Sequence, residues 1–182
     1  MLPGFELSAR MRMVCTVSKW ASVAIGVMLL LILIQTDAIS EITGQAWASL
    51  TPQTQAAIQL DEAKRSQVNS FALVGYFAPM LILFGAFRMF RALEAGAVFS
   101  IRTVKALRFL GLMVLVEALF RTVFGSLLIL LMTYDAIDGQ RTLSIGLNSN
   151  QLLSILVGVI FLVIGHVFTQ AVHISDENRQ IV

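Results

Sequence analysis

Residues 95–132 read AGAVFSIRTVKALRFLGLMVLVEALFRTVFGSLLILLM. The stretch opens on a basic segment with Arg102, Lys105 and Arg108, then runs apolar from Phe109 to Met132, broken only by Glu117 and Arg121. As a helix rising 1.5 Å per residue, the apolar part is about 36 Å long, enough to cross a hydrocarbon core of about 30 Å. The basic flank and the acid–base pair inside the run set the questions for the rest of the chain.

The composition fits that reading. The 182 residues are 57% hydrophobic and 13% charged, with a mean hydropathy of +0.82; an ordinary globular domain is about 25% charged. One domain is expected at this length. A net charge of +2 is too small to point to nucleic-acid binding. The single cysteine, Cys15, excludes an internal disulfide and reads as a packed thiol.

Four runs are long and apolar enough to cross a membrane, at about residues 14–36, 66–87, 109–132 and 152–172. A cleaved signal peptide competes for the first, because Ala46-Trp47-Ala48 has the small-x-small form. Asp37 and Glu41 lie between that triplet and the apolar run, which favours a retained anchor. Between the spans fall loops 37–65 and 133–151 and a connector, 88–108. Thr51-Pro52 predicts a helix start, and Asp61 and Arg65 are spaced to pair on a helix. Pro79 predicts a kink in the second span. Asp138-Gly139 reads as a turn, and 142–147 as a short strand.

Nine of the 13 basic residues fall in the N-terminal arm, the connector and the C-terminal tail, and three in the other two loops. The positive-inside rule then puts both termini and the connector in the cytoplasm. The expected architecture is all-α: an antiparallel integral-membrane four-helix bundle in a single domain. Gly111, Ala118 and Gly125 recur every seven positions, a small-residue seam along which another helix can approach. Ala78 with Gly85, and Gly158 with Gly165, repeat the device.

A lone charge near the bilayer centre costs about 2.5–3.5 kcal/mol on insertion scales. Glu117 and Arg121, one turn apart, are therefore expected to pair inside the bundle. His166, in the fourth span, is a candidate third member of this intramembrane polar cluster. Such a cluster reads either as a structural clasp that fixes helix register or as a proton relay, ligand site or pH-sensitive latch. No metal-ligand spacing, nucleophile constellation or phosphate loop is visible, so neither a metal nor a cofactor is expected, nor enzymatic activity.

The connector's cations, Arg88, Arg91, Arg102, Lys105 and Arg108, are opposed by Glu94 alone. They read as topology signals attracted to anionic lipid head groups, or as a docking face for a cytoplasmic protein, with Phe90, Val98 and Phe99 as apolar anchors.

Gly96-Ala97-Val98-Phe99-Ser100, followed by Val104, Leu107-Arg108 and Gly111, resembles the signature of bacterial membrane proteins grouped as domain of unknown function 2975. The tail, His166-Val167-Phe168 through Asp176-Glu177-Asn178-Arg179-Gln180-Ile181-Val182, is similar to that family's ending. Glu117 and Arg121 have no counterpart in the pattern. The resemblance implies no established activity. It does imply a bacterial inner-membrane location and a small helix-turn-helix regulator as partner, docked on the connector. Three hypotheses stand: a non-enzymatic sensor or anchor for such a regulator; a small transporter or immunity-type protein using Glu117, Arg121 and His166; and an intramembrane enzyme. Oligomeric state is not readable.

Overall fold

The computed structural model describes residues 9–34, 36–58, 61–95, 100–136 and 148–180. All regular structure among them is helical: α1 (Ala9–Ile34), α2 (Thr36–Ala48), α3 (Pro52–Ala57), α4 (Glu62–Gly75), α5 (Phe77–Glu94), α6 (Ile101–Thr133) and α7 (Ser149–Gln180). Phe99, the turn at 138–139 and the strand expected over 142–147 lie outside the described residues.

Local chemistry accounts for the helix boundaries. Thr51 caps α3, its hydroxyl accepting from the Thr54 N–H at 3.3 Å, with Pro52 at the first helical position. The Asp61 carboxylate, expected to reach Arg65, caps α4 by accepting from the Glu62 N–H at 2.8 Å. Ser100 caps α6 through the Thr103 N–H at 3.2 Å. At the start of α7, Asn148 and Gln151 bond reciprocally: each side-chain oxygen accepts the other's backbone N–H, at 2.9 and 2.8 Å. Pro79 has no N–H for the carbonyl of Gly75, and the helix divides there, α4 ending and α5 beginning around Tyr76.

Four stretches are long and apolar enough to cross a membrane: Ala9–Ile32, Glu62–Glu94, Ile101–Thr133 and Ser149–Val172. The second and third, at 33 residues each, are about 50 Å long and exceed what a hydrocarbon core requires. α4 is the reason for the second one's excess: it exposes Ser66, Gln67, Asn69 and Ser70, a row suited to water rather than acyl chains. α1 and α7 show the opposite surface, exposing Val17, Trp20, Leu31, Leu153, Ile160 and Val163 among many others.

The extensive contacts among the long helices follow the order α1–α5–α6–α7. Gly26 meets Leu83, and the Lys19 ammonium and Thr16 hydroxyl both hold the Glu94 carboxylate. Farther along, Lys64 pairs with Asp135 at 3.5 Å, Gly75 lies under Phe124, and Gly85 packs on Leu110. Gly111 meets Gly158, and Gly165 takes the stem of Arg108.

The helix start expected at Thr51-Pro52 is present, but that helix ends at Ala57 instead of continuing into the second span; the segment between the first two apolar spans folds into α2, α3 and the start of α4. These cap the last third of α6 around two small cores. Val68, Phe124, Leu128 and Met132 form one, with Phe71 stacked on Phe124 at 5.0 Å. Leu50, Ile58 and Ile129 form the other, against Trp47. The sequence signal for this cap is scattered: its apolar residues are few and split over three short helices.

Candidate functional site

Two groups of chemistry-bearing side chains stand on α6. The first is at its start. Arg102 and Lys105 on α6 face Arg88 and Arg91 on α5 across a cavity of about 370 Å³, with Phe84 and Phe87 as its apolar wall. Four cations from two helices thus converge, and no carboxylate lines the cavity with them among the described residues. The Arg88 guanidinium sits over the Phe109 ring, 4.7 Å from its centroid, a cation–π contact that lowers the cost of gathering like charges.

Arg108 departs from this group. Its spacing from Arg102 and Lys105 puts it on the same helical side in projection, but its stem packs across Gly165 of α7, where an added Cβ would lie 2.4 Å from the Arg108 Cγ. The connector's one acid, Glu94, is engaged by Lys19 and Thr16 of α1. It therefore ties two helices together instead of neutralising the cavity.

The second group lies farther along α6. Glu117 is 3% exposed. Arg121 donates its Nε–H to Glu117 Oε1 at 2.8 Å and an Nη2–H to the same oxygen. The pair is not uniformly buried, contrary to the expectation that both members lie inside: 57% of the Arg121 side chain is accessible, against 4% for Glu117. Arg121 opens into a cavity of about 430 Å³ where the cap meets α5, α6 and the start of α7.

His166 does not join this pair, which corrects the expected three-member cluster. It lies on an exposed side of α7, with Gln170 Nε2 3.4 Å from its ring nitrogen. Its neighbour Gly165 is level with Arg108, about nine residues or 14 Å along α6 from Glu117. The sequence put His166 at a depth near that of Glu117; the packing of Gly165 against Arg108 sets it nearer the connector.

The seam Gly111–Ala118–Gly125 also divides. A Cβ on Gly111 would lie 2.9 Å from the Gly158 carbonyl oxygen, and Ala118 is 1% exposed, but among the described residues no atom of another turn or element lies within 4 Å of where a Gly125 Cβ would be. The seam closes only where α7 faces it. Gln151, near the start of α7, lines the same cavity as Arg121, so no α7 residue is left to cover Gly125. The reciprocal cap that sets this start, Asn148 with Gln151, was legible as an Asn followed three residues later by Gln and went unread.

No curated protein and no solved structure matches the chain. One family model does, over residues 35–182, which takes in both cavities and every described helix after α1. The chain belongs to the family described as protein of unknown function (DUF2975).

Proposed function

We propose that the chain is a non-enzymatic, multi-pass protein of a bacterial inner membrane that serves as a sensor or anchor for a small cytoplasmic helix-turn-helix regulator. Its four spans run antiparallel with both termini and the connector in the cytoplasm. Contact pairs that rise along one helix and fall along its neighbour support this: Lys64 with Asp135, Gly75 with Phe124, Gly85 with Leu110. So does the excess of Lys and Arg in the arm, connector and tail. On this reading the polar face of α4 stands in water on the side opposite the connector.

The observation that carries the docking role is the convergence of Arg88, Arg91, Arg102 and Lys105 on one cavity. Four like charges gathered without a carboxylate repel one another, and an anionic group filling the space between them removes that cost. An acidic side chain inserted from a protein surface does this while Phe84 and Phe87 bury its apolar neighbours; charge complementarity of this kind sets orientation and specificity. α6 is one continuous helix from Lys105 to Arg121, about 24 Å, so it links the docking face to the cavity at Arg121.

Co-purification tests the reading. Full-length tagged chain, solubilised in mild detergent, should retain the helix-turn-helix protein encoded beside it, and Arg102→Glu/Lys105→Glu should release it. Equal retention by the charge-reversed variant, or none by the unaltered chain, would remove the docking role. The transporter or immunity-type alternative has less support, because His166 stands apart from Glu117 and Arg121.

A further inference from the structure

The cavity at Arg121 has the features of a binding site rather than of a packing flaw. It lies where the cap, α5, α6 and the start of α7 meet, and its lining includes Arg121, Gln45, Gln151, Phe120, Phe124 and Gly125. Its origin is traceable: α7 begins too late to cover Gly125, and α4 and α5 part around Tyr76 ahead of Pro79. A void of this size is costly when lined by apolar groups alone. Here the lining is mixed, with one guanidinium as its only charge among the described residues.

The guanidinium is held in a fixed pose. Two of its five N–H donors, one on Nε and one on Nη2, are committed to a single oxygen of the buried Glu117 carboxylate, leaving three. The side chain that carries them is more than half accessible. A buried acid thus acts as positioning partner for an accessible fork. The fork's geometry matches the two oxygens of a carboxylate, which it can bind through parallel N–H bonds.

The walls define the rest of the ligand. Phe120, half-buried and backed by the buried Phe124 at 5.6 Å between ring centroids, supplies the apolar wall; Gln45 adds a carboxamide at the rim. Because Glu117 already balances the charge of Arg121, a compact, strongly hydrated anion gains little here for the water it must shed. An anion attached to an apolar body gains from burial along the phenyl walls and is oriented by the fork, the usual division of labour in a small-molecule site.

We propose that this cavity binds an amphipathic organic carboxylate, its head on Arg121 and its apolar body along Phe120 and Phe124. This deepens the sensor reading by naming what is sensed, and it rests on that reading only for the side from which the ligand enters. Gly125 provides the means to block the site. A Cβ built there meets no described neighbour within 4 Å, and Gly125 lines the cavity, so Gly125→Leu directs its side chain into it.

The experiment is calorimetric titration of the full-length protein in phosphatidylcholine nanodiscs with phenylbutyrate, and with phenylbutyramide as its uncharged isostere. Phenylbutyrate should bind, with the amide at least tenfold weaker. Gly125→Leu should weaken phenylbutyrate at least tenfold without lowering the thermal unfolding temperature, and Glu117→Gln/Arg121→Met, which removes both charges together, should abolish the preference for the acid over the amide. Absence of binding at millimolar phenylbutyrate, equal affinity for acid and amide, or an unaltered affinity in Gly125→Leu would overturn the proposal. The regulator takes no part in this titration, so failure here leaves the docking role standing, and failure of co-purification leaves the ligand site standing.

Discussion

Gly111 and Gly125 occupy the same seam of α6, two heptads apart, and meet opposite surroundings. The first touches the backbone of α7 at Gly158; the second faces open space. The difference shows that a small residue on a helix marks a close approach only where a partner helix is present at that level. It marks a cavity where the partner has ended. The same contrast separates the two halves of the molecule: α6 and α7 are closely packed toward the connector, and the end under the cap holds a cavity with an accessible arginine.

Breaking the tight half should have the largest effect. Gly111→Leu forces a side chain against the Gly158 carbonyl and the α7 backbone, which cannot give way as a flexible side chain can. A loss of about 3 kcal/mol is expected, at the upper end of overpacking costs, read as reduced membrane abundance and a lower unfolding temperature in detergent.

Next comes the pair that borders both halves. Arg121→Met leaves Glu117 buried without a cationic partner and should destabilise on the order of 2 kcal/mol, less than the 3–5 kcal/mol of a fully buried pair because Arg121 is largely accessible. Glu117→Gln/Arg121→Met should recover most of that loss, a non-additivity that a double-mutant cycle by denaturant unfolding would read. Additive losses would mean that the two residues do not act as a pair.

The smallest effect belongs to the open half. Gly125→Ala removes a helix-interior glycine without a clash and should raise stability by about 0.5–1 kcal/mol. A fall instead would show that the cavity is absent in the folded protein.

The four spans and the basic connector were legible because hydropathy and charge act residue by residue, whatever the tertiary arrangement. The Glu117–Arg121 pair was legible because one turn of helix sets its spacing. What escaped depends on where one helix ends relative to another. The fate of Gly125 turns on the start of α7, and the position of His166 turns on the level at which Gly165 meets Arg108. The cap was missed because its cores set single residues, Leu50, Ile58 and Val68, against four of α6, Phe124, Leu128, Ile129 and Met132. Glu94 looked like the connector's lone counter-charge, yet it reaches Lys19 and Thr16, more than 70 positions away in the chain, a pairing no local pattern announces.

The measurement that bears most directly on the account is sidedness. Cys15, the one cysteine, is buried, and replacing it with serine provides a background for single cysteines at Ser70, exposed on α4, and at Lys105, beside the cationic cavity. In intact cells with the outer membrane permeabilised, an impermeant maleimide should label Ser70→Cys fully and Lys105→Cys only after lysis. Equal labelling of both from the same side would contradict the account, since the cap with the Arg121 cavity and the cationic face would then share one compartment.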